Sequence, residues 1–242
     1  MRLLAALLLA LAGCGNDAPE DRGVAAQEVV EPAHEASKPR LALLTSLPLA
    51  FPENGFSLES SGSAALSALE EQFAVELIAT ADAAALKGHD LLLMAHAPTQ
   101  TAEGLVDLDQ WVEQGGRVVL LADPRLLWES SLSLGDRRRP LSAFPDTGLL
   151  GHWGVRLEGP TSDGPQLVGD GDSAVLTGAP GKLVTIADQC SIELDGFIAT
   201  CAIGEGTALI IADADFIMVE EGGLDGPTQG NLPFLIAQLE RL

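Results

Sequence analysis

The chain has 242 residues, with 35 acidic against 13 basic side chains and a formal net charge of −22. A surface this acidic repels phosphate backbones and anionic headgroups, which argues against nucleic acid binding and electrostatic docking on a bilayer. Hydrophobic residues make up 47% of the chain, enough for one domain of roughly 200 residues with a substantial core.

After Met1 and Arg2, an apolar run from Leu3 to Ala10 leads into Leu11-Ala12-Gly13-Cys14. The run is well short of the ~20 apolar residues a membrane-spanning helix needs, and Gly13 supplies a small-residue cleavage point. Residues 1–13 resemble a bacterial lipoprotein signal peptide ending in a lipobox. The resemblance implies a mature protein that starts at Cys14, carries diacylglycerol on that thiol, and is exported and held to the membrane by lipid rather than by a span. Gly15 stands where an aspartate commonly signals inner-membrane retention in Gram-negative lipoproteins, so the resemblance favours the outer membrane, with the domain in the periplasm. An ordinary secretory signal with a coincidental cysteine is the alternative. Residues 14–39 are rich in Ala, Glu and Pro, without aromatics, and read as a flexible tether.

The folded part, residues 40–242, alternates strand and helix patterns. Leu41–Leu47 suits a buried strand, and Ser63–Phe73 places Ala65, Leu66, Leu69 and Phe73 on one helical face. A second strand over Ala74–Ala79 precedes a short helical stretch, Asp82–Leu86, that Asp82 can cap. Asp90–Ala95 is the third strand. Thr101–Gln114 is a helix stopped by Gly115-Gly116, and Arg117–Ala122 is a fourth strand closed by Asp123-Pro124. The triplet Arg137-Arg138-Arg139 before Pro140 reads as a loop, either a solvated charge run or a clamp for an anionic partner. Residues 159–206 are Gly-rich and read as an antiparallel hairpin insertion before a late strand, Thr207–Ala212. A last helix runs from Asn231, its cap, to Leu242, with Leu232 and Pro233 at its first two positions. The order predicts an α/β fold: a doubly wound, mostly parallel sheet with an antiparallel insertion.

Cys190 and Cys201 remain as an even pair in an oxidising compartment. Asp195-Gly196 midway between them is a two-residue hairpin signal. Folding there pairs Leu194 with Phe197, Ile192 with Ala199 and Cys190 with Cys201, all on one face. A cross-strand disulfide is expected, and counting from the turn places it at a hydrogen-bonded position, where Cα atoms sit ~5.5 Å apart. Two reduced, buried cysteines are the alternative. A catalytic thiol lacks an activating neighbour, since no histidine follows His152 and Asp188, Glu193 and Asp195 would raise its pKa.

The third strand ends in His96-Ala97-Pro98-Thr99, without the Cys or Ser that a nucleophile elbow requires, and no Gly-x-Ser-x-Gly occurs. His34, His89, His96 and His152 lack metal-ligand spacing, and no phosphate-cradling glycine motif is present. The pattern reads as a binding domain without catalytic residues or cofactor. Ligands of open parallel sheets sit outside the carboxyl ends of the strands. Those ends offer Thr45, Ser46, His96, Asp123, Asp213 and Asp215. The three aspartates could coordinate a cation or accept hydrogen bonds from a sugar; otherwise Asp123 is a turn residue before Pro124, and Asp213 and Asp215 cap loop amides.

Several segments resemble one family in order. Asp90–Pro98, then Leu108-Asp109-Gln110-Trp111-Val112, then Gly115-Gly116-Arg117 to Asp123-Pro124, Leu149–Leu157, Gly204–Phe216 and Asn231–Leu235 are similar to GldG-type auxiliary proteins of ABC transporters. The resemblance implies a flavodoxin-like sandwich related to the class I glutamine amidotransferase fold without its chemistry. It further implies a lipid-anchored periplasmic binding domain, accessory to an ABC-type export or envelope-maintenance system, whose partner is a permease, another envelope protein or an envelope glycan. GldG-type proteins usually carry membrane helices; here a lipid and a tether take that place. Two other readings are a divergent metal-dependent hydrolase using Asp123, Asp213 and Asp215, and a small-ligand receptor with an apolar pocket lined by His96 and Trp153.

Overall fold

The computed structural model of the protein describes residues 38–51, 53, 62–171, 174–220 and 223–242. The signal peptide, Cys14 and the tether up to residue 37 lie outside the described residues. In chain order the elements are β1 (Arg40–Thr45), α1 (Ala64–Gln72), β2 (Ala74–Leu77), α2 (Ala83–Leu86), β3 (Leu91–Ala95), α3 (Ala102–Glu113), β4 (Arg117–Leu121), α4 (Leu149–Trp153) and β5 (Val155–Glu158). There follow β6 (Gln166–Val168), β7 (Val175–Thr177), β8 (Lys182–Thr185), β9 (Cys190–Glu193), β10 (Ile198–Ile203), β11 (Gly206–Ile211) and α5 (Asn231–Glu240).

A seven-stranded sheet in the order β2-β1-β3-β4-β11-β10-β9 forms the centre. The first five strands are parallel, and β10 pairs antiparallel with both β11 and β9. Residues 91–95 are all buried, as are 118–121 and 208–211, the continuous apolar pattern of strands covered on both faces. Local chemistry sets the helix starts. Ser63 caps α1 through the Leu66 amide, Asp82 caps α2 through Ala84 and Ala85, and Thr101 caps α3 through Gly104. After α3 the chain reverses through Gly115, whose φ of 106° is open to glycine at little cost. Helix α1 packs on α5, and α2 packs on α3. No helix among the described residues is long and apolar enough to cross a membrane.

The antiparallel part differs from the predicted insertion. Strands β9 and β10 extend the main sheet instead of standing apart from it. The insertion proper is two small two-stranded sheets, β5-β8 and β6-β7. The Cys190–Cys201 disulfide is present, and the pairs Ile192–Ala199 and Cys190–Cys201 have the expected register. The expected phase is reversed, however. Ala202 N–H donates to Gln189 O (3.0 Å), which makes the neighbouring cysteine pair non-hydrogen-bonded, with Cα atoms 4.1 Å apart. The cause lies in the turn: Leu194 joins Asp195 and Gly196 at positive φ (48°, 52° and 100°), so the alternation does not propagate outward as from a two-residue loop.

Candidate functional site

Strands β4 and β11 pair Leu121 with Ile211, so Asp123 and Asp213 leave the carboxyl edge of the sheet side by side, with Asp215 two residues on. One oxygen from each of the three carboxylates lies within 4.8 Å of the others, and all three side chains are sealed from solvent. Main-chain amides hold them. Asp123 accepts from Arg125 N (2.7 Å) and Ala214 N (2.9 Å), and Asp213 accepts from Gly178 N (3.1 Å) and Phe216 N (2.8 Å). Asp215 accepts from Leu127 N (2.9 Å to Oδ2) and Trp128 N (3.0 Å to Oδ1). Burial, reinforced by the charges of Asp123 and Asp215, pushes Asp213 well above the usual carboxylate range. Burial and the Asp123 charge bring Asp215 to about 7, and burial raises Asp123 as well. The cluster therefore carries fewer than three negative charges at neutral pH.

His96, which follows Ala95 at the end of β3, is fully buried at a φ of 47°. Its Nε2 lies 2.8 Å from Leu141 O. A carbonyl only accepts, so Nε2 carries the hydrogen, and burial lowers the pKa against the opposing pull of Leu141 and Asp123. The neutral ring is thus a donor to one main-chain carbonyl.

These buried groups share a task. The connection between β4 and α4, residues 122–148, exceeds the ~12–15 residues beyond which loops are uncommon and usually functional. Asp123 fixes its start, Asp215 holds Leu127 and Trp128, and His96 holds Leu141. Glu53 accepts from Ser131 N (2.7 Å) and Oγ (2.9 Å), and Phe144 N returns to Asp123 O (2.6 Å). Within the loop Arg139 donates to Ser130 O and Leu132 O. The aspartates thus act as the predicted turn and amide-capping residues: Asp123 and Asp215 pin the loop laid over the carboxyl edge, while Asp213 caps Gly178 and Phe216 outside it.

That arrangement leaves a crevice of about 390 Å³ outside the carboxyl ends of β1 and β2 and beside the turn after β3. Its wall includes Leu43, Leu47, Leu77, Ile78 and Pro98, the hydroxyl residues Thr45 and Ser46, and Arg137 and Arg138 from the long loop. Thr45 Oγ1 donates to Ala95 O (2.8 Å) and accepts from Leu47 N (2.9 Å), and Ser46 Oγ donates to His96 O (2.6 Å). Of the predicted site residues, Thr45 and Ser46 border this opening, while His96, Asp123, Asp213 and Asp215 gather in the sealed layer beside it.

Two expectations are corrected. His96 and Trp153 are each fully buried and line no common open pocket; Trp153 Nε1 donates to Asp109 Oδ1 (2.9 Å), whose other oxygen meets His152 Nε2 (2.9 Å). Asn231 is not the cap of α5, a position Gly230 takes. Instead it is fully buried, accepts from Leu176 N (3.0 Å), and donates to Leu176 O (2.8 Å) and Phe216 O (2.6 Å). Asn231→Ala would strand three buried main-chain groups. A loss of about 2–4 kcal/mol in urea unfolding is expected, whereas an unchanged midpoint would show the clamp to be idle. Glu53 carries no sign in the sequence, whereas Arg137 belongs to the basic triplet read as either a solvated charge run or a clamp for an anionic partner.

The chain matches no protein family and no curated protein. Solved structures that resemble it include α-L-fucosidase isoenzyme 2 of Paenibacillus thiaminolyticus, with a TM-score of 0.50, 14% identity, and coverage of 85% of this chain and 33% of that one. A cytoplasmic protein of Salmonella typhimurium LT2 gives 0.49 at 11% identity, covering 84% and 98%. A β-galactosidase of Rahnella sp. R3 gives 0.48 at 14%, covering 85% and 31%. The chain spans about a third of the length of these glycosidases, and at such identities the likeness concerns the fold alone.

Proposed function

We propose that this chain is a non-catalytic binding domain, held at the envelope by a lipid on Cys14 and serving as an accessory to an ABC-type transport or envelope-maintenance system. One observation carries the binding reading. Asp123, Asp215 and His96 at the carboxyl edge are spent on fixing a long loop, and the surface this loop completes is an open crevice. The order β2-β1-β3-β4-β11 supports a flavodoxin-like, doubly wound reading. Right-handed connections then put α1 on one face and α2 with α3 on the other, in keeping with the helix pairs that touch. The disulfide agrees with an exported, oxidised location. The link to GldG-type proteins rests on the motif order alone.

The test is crosslinking of the intact lipoprotein in cells, with mass spectrometry of what is captured. A permease or a neighbouring transporter component is expected; recovery of none removes the transporter link. Labelled fatty acid should be incorporated into the wild-type chain and not into Cys14→Ala, and equal labelling of both would overturn the lipid anchor. The metal-dependent hydrolase reading draws on the three carboxylates within 4.8 Å, but a substrate would have to reach groups with no exposed surface. Bound metal together with a thermal shift on adding divalent cations would favour it.

A further inference from the structure

We propose that the crevice at the ends of β1 and β2 binds a small apolar anion, a hydrocarbon or aromatic body carrying one carboxylate, phosphate or sulfonate. The crevice borders the point where the strand order reverses, with Ser46 and Leu47 after β1 and Pro98 after β3 in its wall. The chain leaves β1 toward β2 on one side, whereas β3 lies on the other, so the connections after β1 and β3 part at this point. That is where open α/β sheets leave room for a ligand. A volume of about 390 Å³ falls in the roughly 300–1,000 Å³ range of small-molecule sites.

The wall states what kind of molecule would fit. Leu43, Leu47, Ile78 and Pro98 provide an apolar floor, and two large side chains on the wall are open to solvent, Phe51 at 60% and Leu77 at 44%. Leaving such side chains wet is unfavourable, and a hydrocarbon body would cover them. The charge at the mouth selects an anion. In a chain of net charge −22, the one basic triplet is delivered here by the pinned loop. Arg138 is engaged by Asp136 (2.8 Å), and Arg139 by two carbonyls. Arg137 has no hydrogen-bond or ion-pair partner among the described residues, and it is exposed. A guanidinium fork of this kind suits a carboxylate or phosphate in two-point contact. Glu53, in the same wall, has a buried Oε1 without a partner among the described residues, so the anionic group must lie on the arginine side. Nucleic acid and bilayer headgroups share the anionic chemistry but meet the repulsion of the whole surface, which a single small anion feels far less.

This inference rests on the reading of the chain as a binding domain, and its readout is independent of partner capture. The full 242-residue chain is titrated calorimetrically with naphthalene-2-carboxylate and with its neutral twin, naphthalene-2-carboxamide. The acid is expected to bind about tenfold or more tightly than the amide, the value of one charge-assisted contact. Arg137→Ala should erase that preference while still taking up the amide. Ala79→Trp, at an exposed wall position, should abolish binding of both. Each variant is checked for an unchanged urea midpoint. Equal affinity for acid and amide in the wild type, no binding of either, or undiminished binding by Ala79→Trp each overturns the proposal. A positive titration with no captured transporter would defeat the accessory role and leave the ligand site standing; the converse pair of results would do the opposite.

Discussion

Gly206→Ala is expected to destabilise the protein by about 3 kcal/mol or more and to yield mostly insoluble chain, because the clash it creates has no flexible partner. A Cβ at Gly206 would lie 2.0 Å from Val112 O and 2.3 Å from Gly116 O, both main chain. Those atoms belong to the end of α3 and the turn that starts β4, which are tied to the neighbourhood of β11 by Glu205 N to Glu113 O (2.9 Å) and Thr207 N to Gly116 O (3.2 Å). Separating them enough to admit a methyl group would break these bonds and open the contact between α3 and β11. Gly135→Ala is the matched control. Nothing lies within 4 Å of a Cβ there, so its stability should stay level or rise by a few tenths of a kcal/mol. Urea midpoints of the two variants decide the matter; coincident curves would show that the strand can shift at little cost.

Stability is expected to fall as pH rises from about 4 toward 7, through the buried aspartates. An unfolded aspartate titrates near 3.8, and folded Asp215 titrates at about 7. Between those values the native state holds more protons than the unfolded state, so unfolding becomes easier with rising pH. Each pH unit in the window removes about 1.4 kcal/mol for each group that titrates fully. Asp213 and Asp123 are raised in the same sense. His96 opposes them, because burial lowers its pKa and an unfolded histidine takes up a proton below about 6.5, but one histidine faces three carboxylates. Below the window the sign turns, as carboxylates such as the half-buried Asp136, held to about 2 by Arg138, become protonated in the unfolded chain first. Asp215→Asn keeps an acceptor for Leu127 and Trp128 while removing the titration. Its curve should be shallower than the wild type's, with the greatest gain near pH 7.5. A wild-type midpoint that stays flat or rises from pH 5 to 7.5 would refute this account.

What the sequence made legible was local. Asp82 announced a helix start because a short oxygen side chain before an apolar period has one dominant use, and it caps as expected; Ser63 and Thr101, read only as the first residues of their helices, are caps as well. The apolar runs within Leu41–Leu47, Asp90–Ala95 and Arg117–Ala122 could be little else than covered strands, and a strand runs through each. Asp195-Gly196 signalled the hairpin, yet the positive φ at Leu194 that reverses its phase leaves no mark in an ordinary leucine. Asn231 misled for the opposite reason: its position before Leu232 and Pro233 suits a cap, and only the distant Leu176 and Phe216 give it another task. The short helix α4 went unpredicted, since Leu149-Leu150-Gly151-His152-Trp153 has too few residues to show a period. The aspartates were rightly placed at the strand ends, but the loop they secure has no periodicity, so the crevice beneath Arg137 could not be drawn from residue order.

The neighbours of β4 arrive at very different times. Its partner β3 precedes it by a single helix, while β11, on its other side, comes only after the whole of the long loop and both small sheets. A chain emerging from its N terminus therefore completes β2-β1-β3-β4 with Val118 to Leu121 still facing outward along an unpaired edge, open to strands of other chains. Residues 206–211 close that edge late, over a long chain separation that slows folding. The interval between them is when aggregation threatens, and a chain cut short before Gly206 would keep that edge bare.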